Sequence, residues 1–339
     1  MNGYNFFGLI LTAALMLALC SCGQGAGSVQ TVHQSERNNI EDANLISIDD
    51  SLPMLHDASF LTMLGDTLIL RDHKSTDKMF VAYDIPSGRY IGSFGQFGAG
   101  PGELSNAGGV FTNGHNLYCI NGGSRKMVKF DVDTALTDSL YKPIDIIEIV
   151  SFSDGLLKHP YNYNIVNDSM LICCVKMHHP DTHKMESCLG KFDMNTGDVK
   201  VIDDVMHPVV GRNNNIGVSV ADSLIVIYSY DQDRIKFSDL NGNVFKVIRG
   251  PNFSEEPSRG IEYFSNVTIG GDRLFAVYLN RPLTGDDKRS DIIVMDLEGN
   301  YLKTYRMNDH IWDIVYNEAT GRLYVSTDGD PQFGYIQID

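Results

Sequence analysis

A short hairpin signature that recurs six times along the chain constrains its fold more than any other feature. It joins a small or polar turn to an apolar strand, and its first copy is Gly65-Asp66-Thr67-Leu68. The apolar anchors of the six copies are Leu68, Leu117, Leu171, Leu224, Leu274 and Leu323. Neighbouring anchors are about 49 to 54 residues apart. Such regular spacing predicts a repeat architecture.

Each full repeat also contains a second hairpin signature, in which a strand ends in an aspartate that precedes a tight turn. The first copy runs from Asp84 to Gly88, and further copies begin at Asp131, Asp193, Asp239 and Asp296. Glycine, asparagine and aspartate supply the positive φ angles that such turns need. Two hairpins amount to four strands, and four-stranded units repeated around an axis form a β-propeller. We therefore predict an all-β fold, a six-bladed β-propeller with four-stranded blades, rather than a solenoid or a β-sandwich.

The two ends of the repeat region predict how the ring closes. The last repeat supplies only three strands, at residues 311–316, 322–326 and 335–339. Residues 44–49 have the pattern of a strand but belong to no repeat. An N-terminal strand that completes the last blade would close the ring and remove an exposed sheet edge. The propeller is therefore predicted to span residues 44–339.

The N-terminal residues carry features of export. Residues 6–19 form an apolar run of about 14 residues, too short to span a bilayer, which predicts a signal peptide over residues 1–21. The sequence Leu19-Cys20-Ser21-Cys22 resembles the lipobox of bacterial lipoproteins and implies lipidation of Cys22, although no Lys or Arg precedes it. Ordinary signal cleavage is the alternative.

The residues after Cys22 bear on location and on the link to the propeller. By resemblance to lipoprotein sorting, Gly23 in place of an aspartate implies the outer membrane, and the lack of an acidic run implies a periplasm-facing protein. Residues 22–43 are polar and rich in Gly, Ser, Gln and Asn. This composition predicts a flexible tether behind the lipidated cysteine, with a coil span of roughly 25 Å.

The net charge of the chain limits its partners. Acidic side chains outnumber basic ones by 43 to 27, which gives a formal net charge of −16. Binding to nucleic acid needs basic side chains that neutralise phosphates, so no nucleic-acid partner is expected. An anionic membrane surface is disfavoured for the same reason. Contact with the membrane is expected through the lipid anchor only.

A Gly-rich segment carries a family resemblance. The run Gly95-Gln96-Phe97-Gly98-Ala99-Gly100-Pro101-Gly102-Glu103-Leu104 resembles a segment of TolB-like six-bladed propeller lipoproteins from Bacteroides-type bacteria. NHL-type propellers carry related runs. Residues 249–251, 263–267 and 274–278 also fit the TolB-like family, and the resemblance covers residues 44–339. It implies a secreted, lipid-anchored propeller and no particular reaction. No Lys-Ser or Lys-Thr pair follows the run, so it does not indicate a phosphate loop.

Long loops on one face of the ring predict where a ligand or partner binds. In a four-stranded blade, one face carries the short turns, and the other carries the longer connections. Aromatic and basic side chains from several blades are expected at the channel mouth on this long-loop face, a composition typical of a polar-ligand or peptide pocket. The candidate ligand-binding residues are Tyr161, Tyr163, Arg212, Arg259, Tyr263, His310 and Trp312. The alternative is that the two arginines pair with surface carboxylates.

The sequence motifs give little support to an enzymatic function or to a metal site. The chain contains no Gly-x-Ser-x-Gly, His-Glu-x-x-His or Cys-x-x-Cys motif. The histidines at positions 178, 179 and 183 lie in one predicted hairpin turn, which does not supply the four placed ligands of a structural metal site. Two alternatives remain for Cys173, Cys174 and Cys188: a disulfide between two of them, or free thiols. We predict neither a catalytic residue nor a bound metal or other cofactor.

These observations favour a non-enzymatic scaffold that binds an unidentified envelope protein or a small polar ligand. The alternative is a propeller hydrolase or lyase that acts on a glycan or a small ester. A Ca²⁺ ion in the channel would favour that alternative, because oxygen-rich sites suit this ion.

Overall fold

Six β-sheets surround a central channel in the protein. The computed structural model describes residues 29–48, 55–56, 59–149, 152–153, 155–202, 207–208, 216–221 and 223–338. The inner strands of successive sheets contact one another from the first sheet to the sixth and back to the first, so the ring is closed. Each sheet contains at least four strands. The prediction of an all-β, six-bladed propeller is confirmed.

Three short strands precede the blades: β1 (Gln30–His33), β2 (Ile40–Asp42) and β3 (Ile46–Ser47). Blade 1 then consists of β4 (Ser59–Leu64), β5 (Thr67–Asp72), β6 (Lys78–Asp84) and β7 (Arg89–Gln96). Blade 2 consists of β8 (Ala107–Asn113), β9 (Asn116–Asn121), β10 (Lys126–Asp131) and β11 (Ile144–Glu148), with the helix α1 (Val132–Thr137) between its last two strands. Blade 3 consists of β12 (Phe152–Ser153), β13 (Leu156–Asn167), β14 (Met170–His179), β15 (Lys184–Asp193), β16 (Val199–Val201) and β17 (His207–Pro208).

Blade 4 consists of β18 (Ile216–Ala221), β19 (Leu224–Ser229), β20 (Arg234–Ser238) and β21 (Val244–Arg249). Blade 5 consists of β22 (Ile261–Gly270), β23 (Arg273–Pro282), β24 (Ser290–Asp296) and β25 (Tyr301–Met307). Blade 6 consists of β26 (Ile311–Asn317), β27 (Arg322–Thr327) and β28 (Phe333–Gln337). The N-terminal strand β3 pairs antiparallel with β28 and supplies the fourth strand of this blade. The predicted ring closure is therefore confirmed.

The hydrophobic core lies between neighbouring blades. The ring of Phe130 in blade 2, for example, packs at centroid distances of 5.7 Å on Phe80 and 5.5 Å on Phe94 of blade 1. Five of the six leucine anchors are fully buried, and Leu224 is half-buried. Gly65 begins the turn between β4 and β5 at a φ of +55°, a left-handed conformation that favours glycine. The hairpin signatures thus mark both the turns and the buried strand centres.

The segment that precedes the ring-closing strand is the largest difference from the sequence prediction. Strand β1 pairs in parallel with β21 at the outer edge of blade 4, and β2 pairs in parallel with β25 at the outer edge of blade 5. Residues 29–48, which we call the belt, therefore follow the rims of blades 4, 5 and 6. The prediction of a flexible tether over residues 22–43 is corrected for residues 30–42. Cys22 and the predicted signal peptide lie outside the described residues.

A buried arginine fastens the belt between blades 4 and 5. The Arg37 Nη2 atom lies 3.1 Å from Asp233 Oδ1, and the two side chains are 7% and 0% exposed. The guanidinium lies 5.0 Å from the ring centroid of Tyr278, whose hydroxyl donates to Asp233 Oδ2 at 2.9 Å. Gln34 Nε2 donates to the Gly299 carbonyl oxygen at 2.9 Å. We call this group of Gln34, Arg37, Asp233 and Tyr278 the seam.

Three smaller features complete the fold. The predicted turn at Asp131 is the start of helix α1, because the Asp131 carboxylate accepts a hydrogen bond from the Thr134 amide at 2.9 Å and caps the helix. No helix in the described part of the chain has the length and apolar character of a membrane span. The four described cysteines, Cys119, Cys173, Cys174 and Cys188, are buried free thiols.

Candidate functional site

Two cavities meet at one end of the propeller channel. The channel cavity has a volume of about 490 Å³ and is lined by the inner strands of all six blades together with Arg71, Tyr228 and Tyr230. The mouth cavity has a volume of about 510 Å³ and lies beside blades 5 and 6. It is lined by Glu262, Arg281, Asp287, Lys288, His310 and Asp328, among others. Glu262 and Arg281 lie on β22 and β23, and the other charged residues come from the longer connections, so the mouth cavity opens on the long-loop face.

Four residues line both cavities and define the neck between them: Phe60, Tyr230, Ser265 and Trp312. They belong to blades 1, 4, 5 and 6. The Tyr230 hydroxyl donates to the Ser265 carbonyl oxygen at 3.0 Å and so joins blades 4 and 5 at this point. Ser265 Oγ and Trp312 Nε1 are buried polar atoms without a hydrogen-bond partner among the described residues. The neck thus combines aromatic surface with unused hydrogen-bonding groups.

Arg71 places a positive charge next to the neck. It lies near the end of β5, and its guanidinium carbon is 4.3 Å from the ring centroid of Phe60. Its Nη1 group donates to the carbonyl oxygens of Ala107, at 3.0 Å, and of Gly108. Burial lowers the pKa of Arg71, and the nearby Cys119 and Asp313 oppose that shift. An arginine nevertheless keeps its charge in proteins, so the channel contains a permanent cation.

Asp313 is the buried carboxylate of the channel. It accepts hydrogen bonds from the backbone amides of Leu61, at 2.7 Å, and Ile314, at 2.9 Å, and from Asn266 Nδ2. Because Leu61 lies in blade 1 and Asn266 in blade 5, Asp313 connects three blades at the point of ring closure. Burial raises the pKa of Asp313 to about 7, against the opposing effect of these hydrogen bonds and of Arg71. The channel charge therefore changes near neutral pH.

The contact with Arg281 defines the tautomer of a neutral His310 in the mouth cavity. Arg281 Nη2 lies 2.7 Å from His310 Nδ1. Since arginine can only donate, Nδ1 must accept, and the neutral imidazole carries its proton on Nε2. The imidazole also packs edge-on against Trp312, with ring centroids 4.2 Å apart. The His310 amide donates to Asp328 Oδ1 at 3.0 Å, which fixes the backbone below the ring.

Two tyrosines from blade 3 line the channel. Both lie on β13, and Asn162 between them has a φ of +51°. The Asn162 side chain compensates for this conformation because its Oδ1 accepts a hydrogen bond from the Val218 amide at 2.7 Å. The Tyr161 hydroxyl donates to the Ile216 carbonyl oxygen at 3.0 Å, and that of Tyr163 donates to the Pro160 carbonyl oxygen at 3.0 Å. Burial raises the pKa of both phenols well above its usual range, so both stay neutral.

The structure brings together four of the seven predicted ligand-binding residues. Tyr161, Tyr163 and Trp312 line the channel cavity, while His310 and Trp312 line the mouth cavity. Tyr263 instead lies in the core between blades 4 and 5, where it is 9% exposed and its hydroxyl donates to the Asn252 carbonyl oxygen at 3.3 Å. Arg259 is exposed and lines neither cavity. Arg212 lies outside the described residues.

Sequence reasoning missed Arg71, Asp313, Phe60 and Tyr230. Arg71 is the fifth residue of β5 and therefore lies on a strand. An available signal was the position of Asp313 in the inner strand of the last blade, where an isolated carboxylate between apolar residues is unusual.

The side chains that line the channel provide few of the ligands that a metal ion needs. Within the described residues, no group of three or more His, Cys, Asp or Glu side chains is placed to hold a metal. Ca²⁺ takes six to eight oxygen ligands, often including several carboxylates. Asp313 is the one carboxylate among the described residues that line the channel cavity, and amide hydrogen bonds already occupy it. This arrangement gives a Ca²⁺ ion in the channel little support.

The fold and sequence together define the family. Residues 60–319 match the TolB-like 6-blade propeller-like family, and the chain belongs to it. The expected resemblance to TolB-like propellers is thereby confirmed. A search of curated proteins gave no significant match.

One of two similar solved structures supports the same fold. A member of the DUF4221 family from Bacteroides vulgatus is similar over 90% of this chain and 96% of its own, with a TM-score of 0.56 and 12% identity. A putative exported protein from Bacteroides fragilis has a TM-score of 0.49 and 11% identity, with 89% of each chain covered. At 12% identity, the similarity to the Bacteroides vulgatus protein shows the propeller fold alone.

Proposed function

We propose that this protein is a lipid-anchored binding protein of the cell envelope, which holds a small polar ligand at the neck. The observation that carries the proposal is the junction of two cavities on one face of the ring. Their volumes of about 490 and 510 Å³ lie in the range of small-molecule sites. The shared walls of Phe60 and Trp312 offer aromatic surface to the ligand.

The charges around the neck favour an anionic or acceptor-rich ligand. Arg71 supplies a permanent cation beside Phe60, and Arg281 lines the mouth cavity, where it donates to His310. A guanidinium binds carboxylate or phosphate groups through charge-assisted hydrogen bonds. Asp313 is partly protonated near neutral pH, which leaves the charge of Arg71 incompletely balanced. We therefore expect a ligand with at least one carboxylate or phosphate group.

Ligand capture tests this proposal. The purified protein is incubated with the low-mass fraction of a cell extract, desalted, denatured and analysed by mass spectrometry for released compounds. We expect an anionic compound to be retained by the wild type and lost from Trp312→Leu. The control Phe97→Leu changes an exposed aromatic residue that lies outside both cavities and should retain it. Equal capture by all three proteins, or capture by none, would contradict the proposal.

The lipid anchor has a separate test. Cys22 follows the predicted signal peptide, so Cys22→Ala should abolish metabolic labelling with a radioactive fatty acid and release the protein from the membrane fraction. Cys188→Ala alters a buried thiol inside blade 3 and should leave labelling unchanged. If Cys22→Ala still carries lipid, the anchor assignment is wrong, while the ligand-binding proposal is unaffected.

A further inference from the structure

Exposed apolar side chains lie beside the point where the N-terminal chain reaches the propeller. Val29 is 49% exposed, and Phe245 on the outer strand of blade 4 is 47% exposed. Gln30 pairs with Lys246, so Val29 is the neighbour of Phe245 across the same strand pair. Ile40 and Leu302 are also exposed apolar residues, at 43% and 42%, on the paired strands β2 and β25 of blade 5. These four residues form what we call the anchor rim.

The length of chain ahead of the belt holds this rim close to any lipid on Cys22. Seven residue steps separate Cys22 from Val29. A fully extended chain of that length spans at most about 25 Å. The rest of the belt cannot lengthen the tether, because β1 and β2 are paired with blades 4 and 5 and Arg37 is buried in the seam. A lipid on Cys22 would therefore hold the Val29 end of the anchor rim within about 25 Å of the bilayer.

We infer that the anchor rim rests on the bilayer surface, so that the propeller stands on edge. Apolar residues beside a lipid anchor add burial in the interface to the attachment that one acyl group provides. The formal net charge of −16 predicts that this contact is made with neutral lipids and does not depend on anionic headgroups. This inference rests on the lipid anchor proposed above, and it adds a contact of the propeller to the membrane contact that the sequence predicts for the anchor alone.

Standing on edge has a consequence for the ligand site. The channel axis would run along the membrane plane, because the rim is parallel to that axis. The mouth cavity on the long-loop face would then open to the aqueous space of the envelope and not towards the lipid. A small ligand could reach the neck without detachment of the protein.

The chain offers a matched pair of positions for the test. Phe245 is the second residue of β21 in blade 4, and Tyr90 is the second residue of β7 in blade 1, on the opposite side of the ring. Both are exposed aromatic residues of an outer strand, at 47% and 40%. Trp312 is the single tryptophan of the chain. Two variants therefore carry a single tryptophan on opposite rims. One combines Phe245→Trp with Trp312→Phe, and the other combines Tyr90→Trp with Trp312→Phe.

The experiment measures tryptophan quenching by brominated phosphatidylcholine vesicles that carry the lipidated protein. We expect the emission of Phe245→Trp to be quenched several-fold more strongly than that of Tyr90→Trp. Equal quenching at the two positions, or none at either in membrane-bound protein, would overturn the inference.

A second arm separates this result from the anchor assignment. Protein that lacks residues 1–21 is coupled through the Cys22 thiol to maleimide phosphatidylethanolamine in the same vesicles. This attachment does not depend on natural lipidation, and it keeps the same tether length. Stronger quenching at position 245 in the coupled protein supports the rim contact even if Cys22 is not lipidated in cells. Equal quenching there contradicts the rim contact even if natural lipidation is confirmed.

Discussion

Arg37 in the seam and Arg71 beside the neck are two buried arginines in different electrical surroundings. Arg37 lies 3.1 Å from a carboxylate oxygen of Asp233, which is completely buried. Arg71 donates instead to backbone carbonyl oxygens and lies on the ring of Phe60. Asp313 attracts Arg71, but the hydrogen bonds that Asp313 accepts come from Leu61, Ile314 and Asn266. In the part of the chain that the structure describes, Arg37 Nη1 and Arg71 Nε are buried nitrogens without a hydrogen-bond partner.

The difference separates a structural arginine from a candidate binding arginine. In the seam, the opposite charges cancel within the protein, and the pair joins the belt to blades 4 and 5. In the channel, Asp313 accepts hydrogen bonds that close the ring, so its negative charge neutralises that of Arg71 less completely. A buried charge without a close partner costs free energy that an anionic ligand would recover. Substitutions at the two arginines should therefore affect different properties.

The largest effect is expected on stability when Arg37 is replaced. Arg37→Met leaves Asp233 buried without its partner, which should lower the free energy of unfolding by roughly 3–5 kcal/mol. Denaturant unfolding measures this change. The control is Arg289→Met, because Arg289 forms an ion pair of similar length, 2.8 Å, with Asp287 on the surface. An exposed pair should cost at most about 1 kcal/mol. Similar losses of unfolding free energy in both variants would contradict the structural role of the seam.

A smaller effect that depends on pH is expected at Asp313. Its pKa is about 7 in the folded protein and 3.8 as the ordinary value, so folded protein binds more protons between these limits. The contribution of Asp313 to stability therefore falls as pH rises through this window. Asp313→Asn removes this dependence. Relative to the wild type, the variant should gain roughly 2–3 kcal/mol between pH 5 and pH 8. Unfolding curves at both pH values test this, and a constant difference would contradict it.

Replacement of Arg71 should weaken ligand binding more than folding. Arg71→Met removes the cation beside the neck, and loss of one charged hydrogen bond should cost roughly 1.5–3 kcal/mol of binding free energy. Isothermal titration with the captured ligand measures this loss. Arg37→Met serves as the opposite control, since it should change stability and leave the affinity of the folded protein nearly unchanged. The comparison fails if Arg71→Met binds as tightly as the wild type.

The smallest effect is expected at the exposed contact between belt and blade 5. Lys303 Nζ lies 2.8 Å from Glu41 Oε2, and Glu41 is 56% exposed. Lys303→Met should therefore lower the free energy of unfolding by about 1 kcal/mol or less. Denaturant unfolding beside Arg37→Met provides the measurement. A loss as large as that of Arg37→Met would show that the belt is held by its surface pair and not by the seam.

The repeat pattern was enough to predict the ring and its closure. The leucine anchors and turn glycines such as Gly65 are local signals, because hairpin turns restrict residue type within a few positions. The pairing of Ile46 with Tyr335 followed from a missing strand in the last blade. Strands β1 and β2 gave no such signal. They add at existing sheet edges through main-chain hydrogen bonds, so polar sequences such as Gln30–His33 suffice.

The candidate site was predictable only in part. Tyr161 and Trp312 could be expected at the channel because aromatic residues near the channel ends are typical of binding sites. Arg71 and Asp313 could not be joined by sequence, since 242 positions separate them and only the closed ring brings their blades together. Tyr263 has the same residue type as the channel tyrosines, yet its position on β22 turns its side chain into the core between blades.

The fluorescence of Trp312 tests the central claim most directly, because this single tryptophan lines both cavities. The captured ligand is titrated into wild-type protein while tryptophan emission is recorded. Binding at the neck should shift or quench the emission with saturation, and Arg71→Met should require a higher ligand concentration for the same change. Tyr90→Phe, a change on the far rim, should respond as the wild type does. Saturable binding that leaves the emission of Trp312 unchanged would place the ligand elsewhere and contradict the account.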